Sequence, residues 1–379
     1  MSTNSNNSDL LRTLGVPSLF CGIGICLFGL VFLRSPEREQ VRTDYRHVPL
    51  EWIGYRQTAV FQCPVIGKPT CFAVQTDSTF IVGTADPPAL TFFDNGGVFL
   101  RKVDLSEEPR AIVCGTPNTI FTDKIIIAHP KSIVVYSTEG QSEFSLWESS
   151  KEEGVISGSS NRHFPRLGTE LLDSEQRVDV RSLVLTPDYL FAADTDNRLI
   201  YRFTTDDRWN VLRIGNSPMG TGVSGVNFDW LGKPFDGFVV YTSPIVMTYS
   251  PATDFLYIAN PGRHRVDVFS QDGIYQPELS FGEPSASLSG FAGCCNPVGL
   301  AALDDGRILT VEKAVSRVKI FKTDGQLDCV VAGYDILEDT SRKPNQRSFA
   351  VAVLSDGSIA VFDFDCAVMR IFESHCQHN

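Results

Sequence analysis

The sequence predicts an all-β chain, a six-bladed β-propeller behind one N-terminal transmembrane helix. Three observations predict it. Residues 14–33, LGVPSLFCGIGICLFGLVFL, are 20 consecutive positions without a charge. Six later stretches share one pattern: a β-rich run, a small or acidic residue, a short break and a second β-rich run. Outside the apolar stretch, no segment carries a helical hydrophobic period.

The elements follow in chain order. Residues 1–13 form a polar tail and 14–33 the anchor, which as a helix spans roughly 30 Å, a bilayer's hydrocarbon thickness. No small-x-small cleavage site follows it, only Arg34-Ser35-Pro36-Glu37, so an uncleaved span is favoured over a cleaved signal. Residues 34–54 are a linker. The propeller runs over 55–373, and 374–379 is a tail. The six units are 79–97, 124–140, 189–203, 255–273, 307–325 and 358–372, spaced about 45 to 65 residues apart. Apolar runs such as Cys71-Phe72-Ala73-Val74 precede most units, and runs such as Cys329-Val330-Val331-Ala332 follow most of them. That makes four short strands per unit, the pattern of a propeller blade. Asp-Gly, Asn-Gly and Glu-Gly pairs close the units, as tight hairpins require. In the fifth unit the strands, lettered A to D from the axis outward, fall near 298–303, 307–311, 317–321 and 328–332. The sixth unit lacks a fourth strand, and the run from Tyr55 to Gln62 is expected to supply it and close the ring. Two insertions, 145–179 and 206–242, break the pattern; long insertions in such a frame serve as binding loops or as decoration.

The units at 251–273 and 297–325 resemble the NHL-repeat family of propellers, whose unit runs from an apolar strand and Asp-Gly to an Ile/Val-rich strand and a second Asp-Gly. Residues 189–203 and 351–372 match that pattern in part and 71–140 weakly. The Gly-Cys-Cys-Asn-Pro stretch, followed by Glu-Lys and Arg-Val-Lys, is similar to a membrane-anchored bacterial subgroup of NHL-like proteins. The resemblance implies a fold and no activity. It also favours an extracytoplasmic, periplasmic-side propeller. The flanking charges point the other way: Arg12 precedes the span, and Arg34, Arg38, Arg42 and Arg46 follow it.

The candidate site comes from the fifth unit. Cys294, Cys295 and Asn296 sit in the loop entering strand A. Glu312 and Lys313 sit between strands B and C, with Arg317 opening C. Both loops lie on one face of the disc, near the axis. Cys366 and Cys63 are expected on that face too, so Cys294, Cys295, Cys366 and Cys63 are the candidate thiolate metal set. The adjacent thiols leave three readings open: a vicinal disulfide, a soft-metal site, or small packed residues. Glu312 occupies the position of Asp86, Asp194, Asn260 and Asp363 in other units; it braces a turn or, with Asp363 and Asn260, offers oxygen ligands for calcium, as in related lactonases and lyases. Amidating lyases of the NHL type bind zinc through channel histidines. Here only His129 and His264 fall in B–C loops, two blades apart, which disfavours that chemistry. The tail histidines His375 and His378, with Cys376, are a weaker metal candidate.

Composition bounds the partners. The 379 residues are 42% hydrophobic and 21% charged, with a formal charge of −12. Such a surface repels phosphate backbones, which excludes nucleic acid as a partner. The ten cysteines contain no CxxC pair, so no zinc or redox motif is legible from spacing alone. The sequence therefore points to a binding module for a protein or small ligand at the propeller face. A redox or metal-dependent enzyme on the same face and a purely structural scaffold are the alternatives.

Overall fold

The computed structural model describes residues 46–148, 178–204, 212–215, 227–228, 234–235, 237–313, 315–337 and 348–375. The expected span at 14–33, most of the 145–179 and 206–242 insertions, and His378 and Cys376 lie outside them. Among the described residues no helix is long and apolar enough to cross a membrane.

The described residues form six antiparallel sheets. β1 (Tyr55–Gln62) is set aside by its order in the chain. Blade I holds β2 (Lys68–Val74), β3 (Phe80–Ala85), β4 (Ala89–Phe93) and β5 (Phe99–Asp104). Blade II holds β6 (Ala111–Cys114), β7 (Lys124–Ala128), β8 (Ser132–Ser137) and β9 (Ser142–Glu148). Blade III holds β10 (Val180–Leu185), β11 (Tyr189–Asp194), β12 (Leu199–Thr204) and β13 (Leu212–Gly215), extended by the short β14 (Asn227–Phe228) and β15 (Pro234–Phe235). Blade IV holds β16 (Met247–Ser250), β17 (Phe255–Asn260) and β18 (Arg265–Ser270). Blade V holds β19 (Gly299–Ala302), β20 (Ile308–Glu312), β21 (Arg317–Phe321) and β22 (Leu327–Ala332). Blade VI holds β23 (Phe349–Val353), β24 (Ile359–Asp363) and β25 (Val368–Ser374).

Packing explains which runs the sequence makes conspicuous. The middle strands are covered on both faces by neighbouring blades: every residue of β4, β20, β21 and β24 is buried. They therefore read as unbroken apolar or β-branched runs. The outer strand β5 alternates between exposed and half-buried positions, as a sheet with one wet face must. The turns that follow the third strands of blades I, II, IV and V end in Gly97, Gly140, Gly273 and Gly325, all at positive φ, a conformation glycine enters without steric cost.

The core is shared between blades rather than held within them. Six apolar clusters lie one at each interface, from Ile81, Leu90 and Ile127 between blades I and II to Phe80, Phe362 and Met369 between VI and I. The ring closes at that last interface. β1 pairs antiparallel with β25 from Tyr55↔Ser374 to Gln62↔Val368, with a bulge between Gln57 and Ala59. The chain's first strand thus completes its last blade and covers an otherwise open edge.

Blade IV departs from the four-strand expectation. Its outer position is taken by an irregular segment that meets β18 through the isolated bridges Phe269↔Tyr275 and Val266↔Phe281 and through bonds of Gln276 and Ser280 to Val268. Pro277 lies between them and has no N–H to give a ladder.

Candidate functional site

The six inner strands β2, β6, β10, β16, β19 and β23 line a central cavity of about 1300 Å³. Val74, Ile112, Leu183, Met247, Leu300 and Val351 stand along it, but their side chains pack into the blade interfaces, and the exposed lining is more polar than apolar. Its charged residues, Lys68, Asp86, Glu108, Arg110, Arg181, Lys313 and Asp365, all come from one face. The reason is topological. Each inner strand runs the same way from that face, so the residues leading into it, and those turning from second to third strand, gather at one rim.

Blades II and III build the most ordered part of that rim. Asp179 accepts from Arg110 Nη1 at 2.6 Å and from Arg181 Nε at 2.9 Å. Its own backbone N–H donates to Asp194 Oδ1 at 3.1 Å. Two guanidinium groups share one carboxylate, and the nearly buried Arg110 leaves its Nε without a hydrogen-bond partner. Across the rim, Lys313 Nζ donates to the Thr242 hydroxyl at 3.1 Å.

The polar residues that end the second strands are braces. Asn260 Oδ1 accepts from Val239 N at 2.9 Å, and Glu312 Oε1 accepts from Ala292 N at 2.7 Å. Asp363 Oδ1 accepts from the backbone of Asp365 and Cys366. All are fully buried. Each ties down a loop at the rim, as the turn-bracing expectation holds.

Glu312 is placed differently from the sequence reading in two respects. It ends β20 rather than lying in a loop, directly opposite Arg317. Its ion-pair partners are Arg317, at 2.8 Å, and Lys319, at 3.0 Å, and not Lys313. The three side chains are almost wholly buried, so Glu312 and Arg317 face the interior of the blade interface. Lys319 also donates to Leu288 O at 3.0 Å and Gly290 O at 2.6 Å and lies 4.5 Å from the Phe291 ring. The network therefore staples residues 286–292 over blade V.

Burial lowers the Lys319 pKa to about 8, against the opposing pull of Glu312. An unfolded chain keeps that proton to about 10.5. Between those two values the unfolded state binds the extra proton, so stability rises with pH across the window, and this contribution is lost as pH falls through about 8. Unfolding free energies of the wild type and Lys319→Met, followed by urea titration from pH 7.5 to about 10.5, check this. The wild type is expected to gain on the variant as pH rises; a constant difference contradicts the assignment.

The vicinal thiols lie where the fifth unit places them. Cys294 is exposed, Cys295 buried, and their Sγ atoms are 2.9 Å apart. Asn296 holds the loop: its Nδ2 donates to Ala292 O at 2.5 Å and Lys313 O at 3.1 Å, and its Oδ1 accepts from Lys313 N at 2.8 Å. Of the six candidate binding residues, Cys294 and Lys313 reach solvent, while Cys295, Asn296, Glu312 and Arg317 are buried around them.

The expected four-thiolate set is not assembled. Cys63 is fully buried in the apolar cluster between blades VI and I, and Cys366 sits in the β24–β25 turn. Among the described residues no three His, Cys, Asp or Glu side chains are grouped to hold a metal ion. Glu312 and Asn260 spend their oxygens on backbone and side-chain partners, and Asp363 Oδ2 faces Arg370 Nη1 at 4.0 Å. His129 is buried against Tyr136 Oη at 2.9 Å, and burial lowers its pKa; His264 contacts Phe291 O at 3.2 Å. The Arg110–Asp179–Arg181 group was missed from sequence. A signal existed: Lys68, Arg110 and Arg181 each stand at or beside the start of an inner strand.

No family model matches the chain, and no curated protein matches it. Solved structures do. A protein of unknown function from Bacteroides thetaiotaomicron aligns over 84% of this chain and 72% of its own, with TM-score 0.52 and 11% identity. A streptogramin B lyase covers 86% and 99% at TM-score 0.49 and 10% identity. A virginiamycin B lyase from Staphylococcus aureus covers 84% and 99% at 0.48 and 9%. At 11% identity the likeness to the Bacteroides protein is one of fold, and with the six sheets closed into a ring it makes this chain an all-β, six-bladed β-propeller.

Proposed function

We propose that the chain is a membrane-anchored, NHL-like propeller that acts as a binding module, with the central cavity as its site. The ligand is a small molecule with an anionic head. The observation that carries this is the cavity itself: a concave space framed by six inner strands, with fixed charges gathered at one rim. Arg110 and Arg181 share Asp179, which leaves one positive charge over in this group. Charge-assisted bonds from such a pair orient an anionic group. The apolar stretch at 14–33 and the Gly-Cys-Cys-Asn-Pro unit support the anchor, the NHL kinship and an extracytoplasmic face.

The test uses 1-anilinonaphthalene-8-sulfonate, an apolar body with one sulfonate, titrated by fluorescence against protein whose near-ultraviolet circular dichroism reports native packing. Saturable binding is expected. Arg181→Met should weaken it about tenfold, the loss of one charge-assisted bond, and Arg110→Met, which removes the other guanidinium of the pair, should weaken it to a similar degree. Absence of binding, or binding indifferent to both variants, refutes the reading.

A further inference from the structure

We propose that Cys294 and Cys295 form a thiol–disulfide exchange site for small organic disulfides, a dithiol that closes to a vicinal disulfide at the cavity rim. Position and burial divide the labour. Cys294 is open to solutes, and Cys295 is held behind it with the two sulfurs 2.9 Å apart. The loop that carries them is fixed on several sides. Ser243 Oγ donates to Cys295 O at 3.0 Å, Asn296 bonds to Ala292 and Lys313, and Glu312 holds the Ala292 N–H. Cys295 itself lies in the left-handed region, with φ of 65°.

The surroundings favour a buried thiolate. Thr242 lies beside the Cys295 sulfur, and Lys313 Nζ donates to its hydroxyl at 3.1 Å. Burial raises the Cys295 pKa, but the bonds from Cys294 and Thr242 and the Lys313 charge outweigh it, and the thiol falls below its ordinary value. Cys294 is shifted upward by its hydrogen bond to Cys295. Cys63, Cys71 and Cys114 are different: burial pushes each up to about 12, so they stay protonated and inert at neutral pH.

The chemistry balances with a disulfide R–S–S–R as the oxidant. The Cys295 thiolate takes the Cys294 proton across the 2.9 Å between the sulfurs, the Cys294 thiolate so formed attacks one sulfur, a Cys294–S–S–R bond forms, and R–S⁻ leaves and takes that proton from Cys295. The Cys295 thiolate then attacks Cys294 Sγ. The Cys294–Cys295 bond forms, the Cys294–S–R bond breaks, and the second R–S⁻ leaves and is protonated. Two protein thiols are oxidised, one disulfide is reduced to two thiols, and both protons come from the cysteines. No occupant of the cavity takes part, so this site stands or falls apart from the cavity reading.

The experiment incubates the reduced full chain with oxidised glutathione, quenches it in acid, and weighs the peptide carrying both cysteines. In the wild type that peptide should be lighter by two hydrogens, carry no glutathione, and regain its mass with reductant. Cys295→Ser should stop at a glutathione adduct on Cys294, and Cys294→Ser should form neither product. A wild-type peptide that remains a dithiol, or that keeps a stable adduct, overturns the proposal; so does a Cys295→Ser protein that gains no adduct.

Discussion

Replacing Glu312 by leucine is expected to cost about 3 to 5 kcal/mol of unfolding free energy, the range for removing one partner of a buried ion pair. The reason lies in what remains. Arg317 and Lys319 are essentially without solvent contact, and Glu312 is the carboxylate both of them face. Ala292 N would also lose its acceptor. Because the two cations reach Ala286, Leu288 and Gly290, the same substitution should open residues 286–292 to limited proteolysis. Urea unfolding gives the energy. A companion variant separates repulsion from lost packing: Glu312→Leu with Arg317→Met and Lys319→Leu should recover most of the loss, since an apolar replacement of the whole group leaves no stranded charge. A single variant within about 1 kcal/mol of wild type would mean the charges do not compensate one another.

The second large effect concerns the strand that closes the ring. A chain beginning at Arg46 keeps β1, and one beginning at Cys63 lacks it. The shorter chain is expected to lose cooperative unfolding and to associate, because β25 then offers a free edge and the apolar cluster at Phe80, Phe362 and Met369 loses its Phe61 cover. Light scattering and urea unfolding of the two chains compare them directly. A monomeric shorter chain with an unchanged midpoint would show that β1 adds nothing to the closure.

Much of this architecture was legible before any coordinates. The four strands of blade V fall within two residues of their sequence-read limits, and the closing role of Tyr55–Gln62 follows from a missing fourth strand. Strands covered on both sides leave continuous apolar runs, and turn glycines mark their ends. The partner of Glu312 was not legible. Lys313 is next to it in sequence, but successive residues of an extended chain point to opposite faces, while Arg317 lies directly across the hairpin. The four-thiol grouping failed for a similar reason: a shared face does not fix depth, and Cys63 packs among phenylalanines inside an interface. The Arg110–Asp179–Arg181 group joins two near neighbours to a residue 69 positions before Asp179, and the stacking of blade II on blade III brings Arg110 to them.

Because β1 is made first and its partner last, the disc cannot be completed until about 300 residues more have been synthesised. At ribosomal speeds of roughly 5 to 20 residues per second, that is an interval of about 15 to 60 s. Through that time the nascent chain carries an unmatched strand bearing the exposed Val60 and Phe61, beside blades already able to assemble. Its most vulnerable moment is therefore a waiting period set by translation, and a slower ribosome lengthens it.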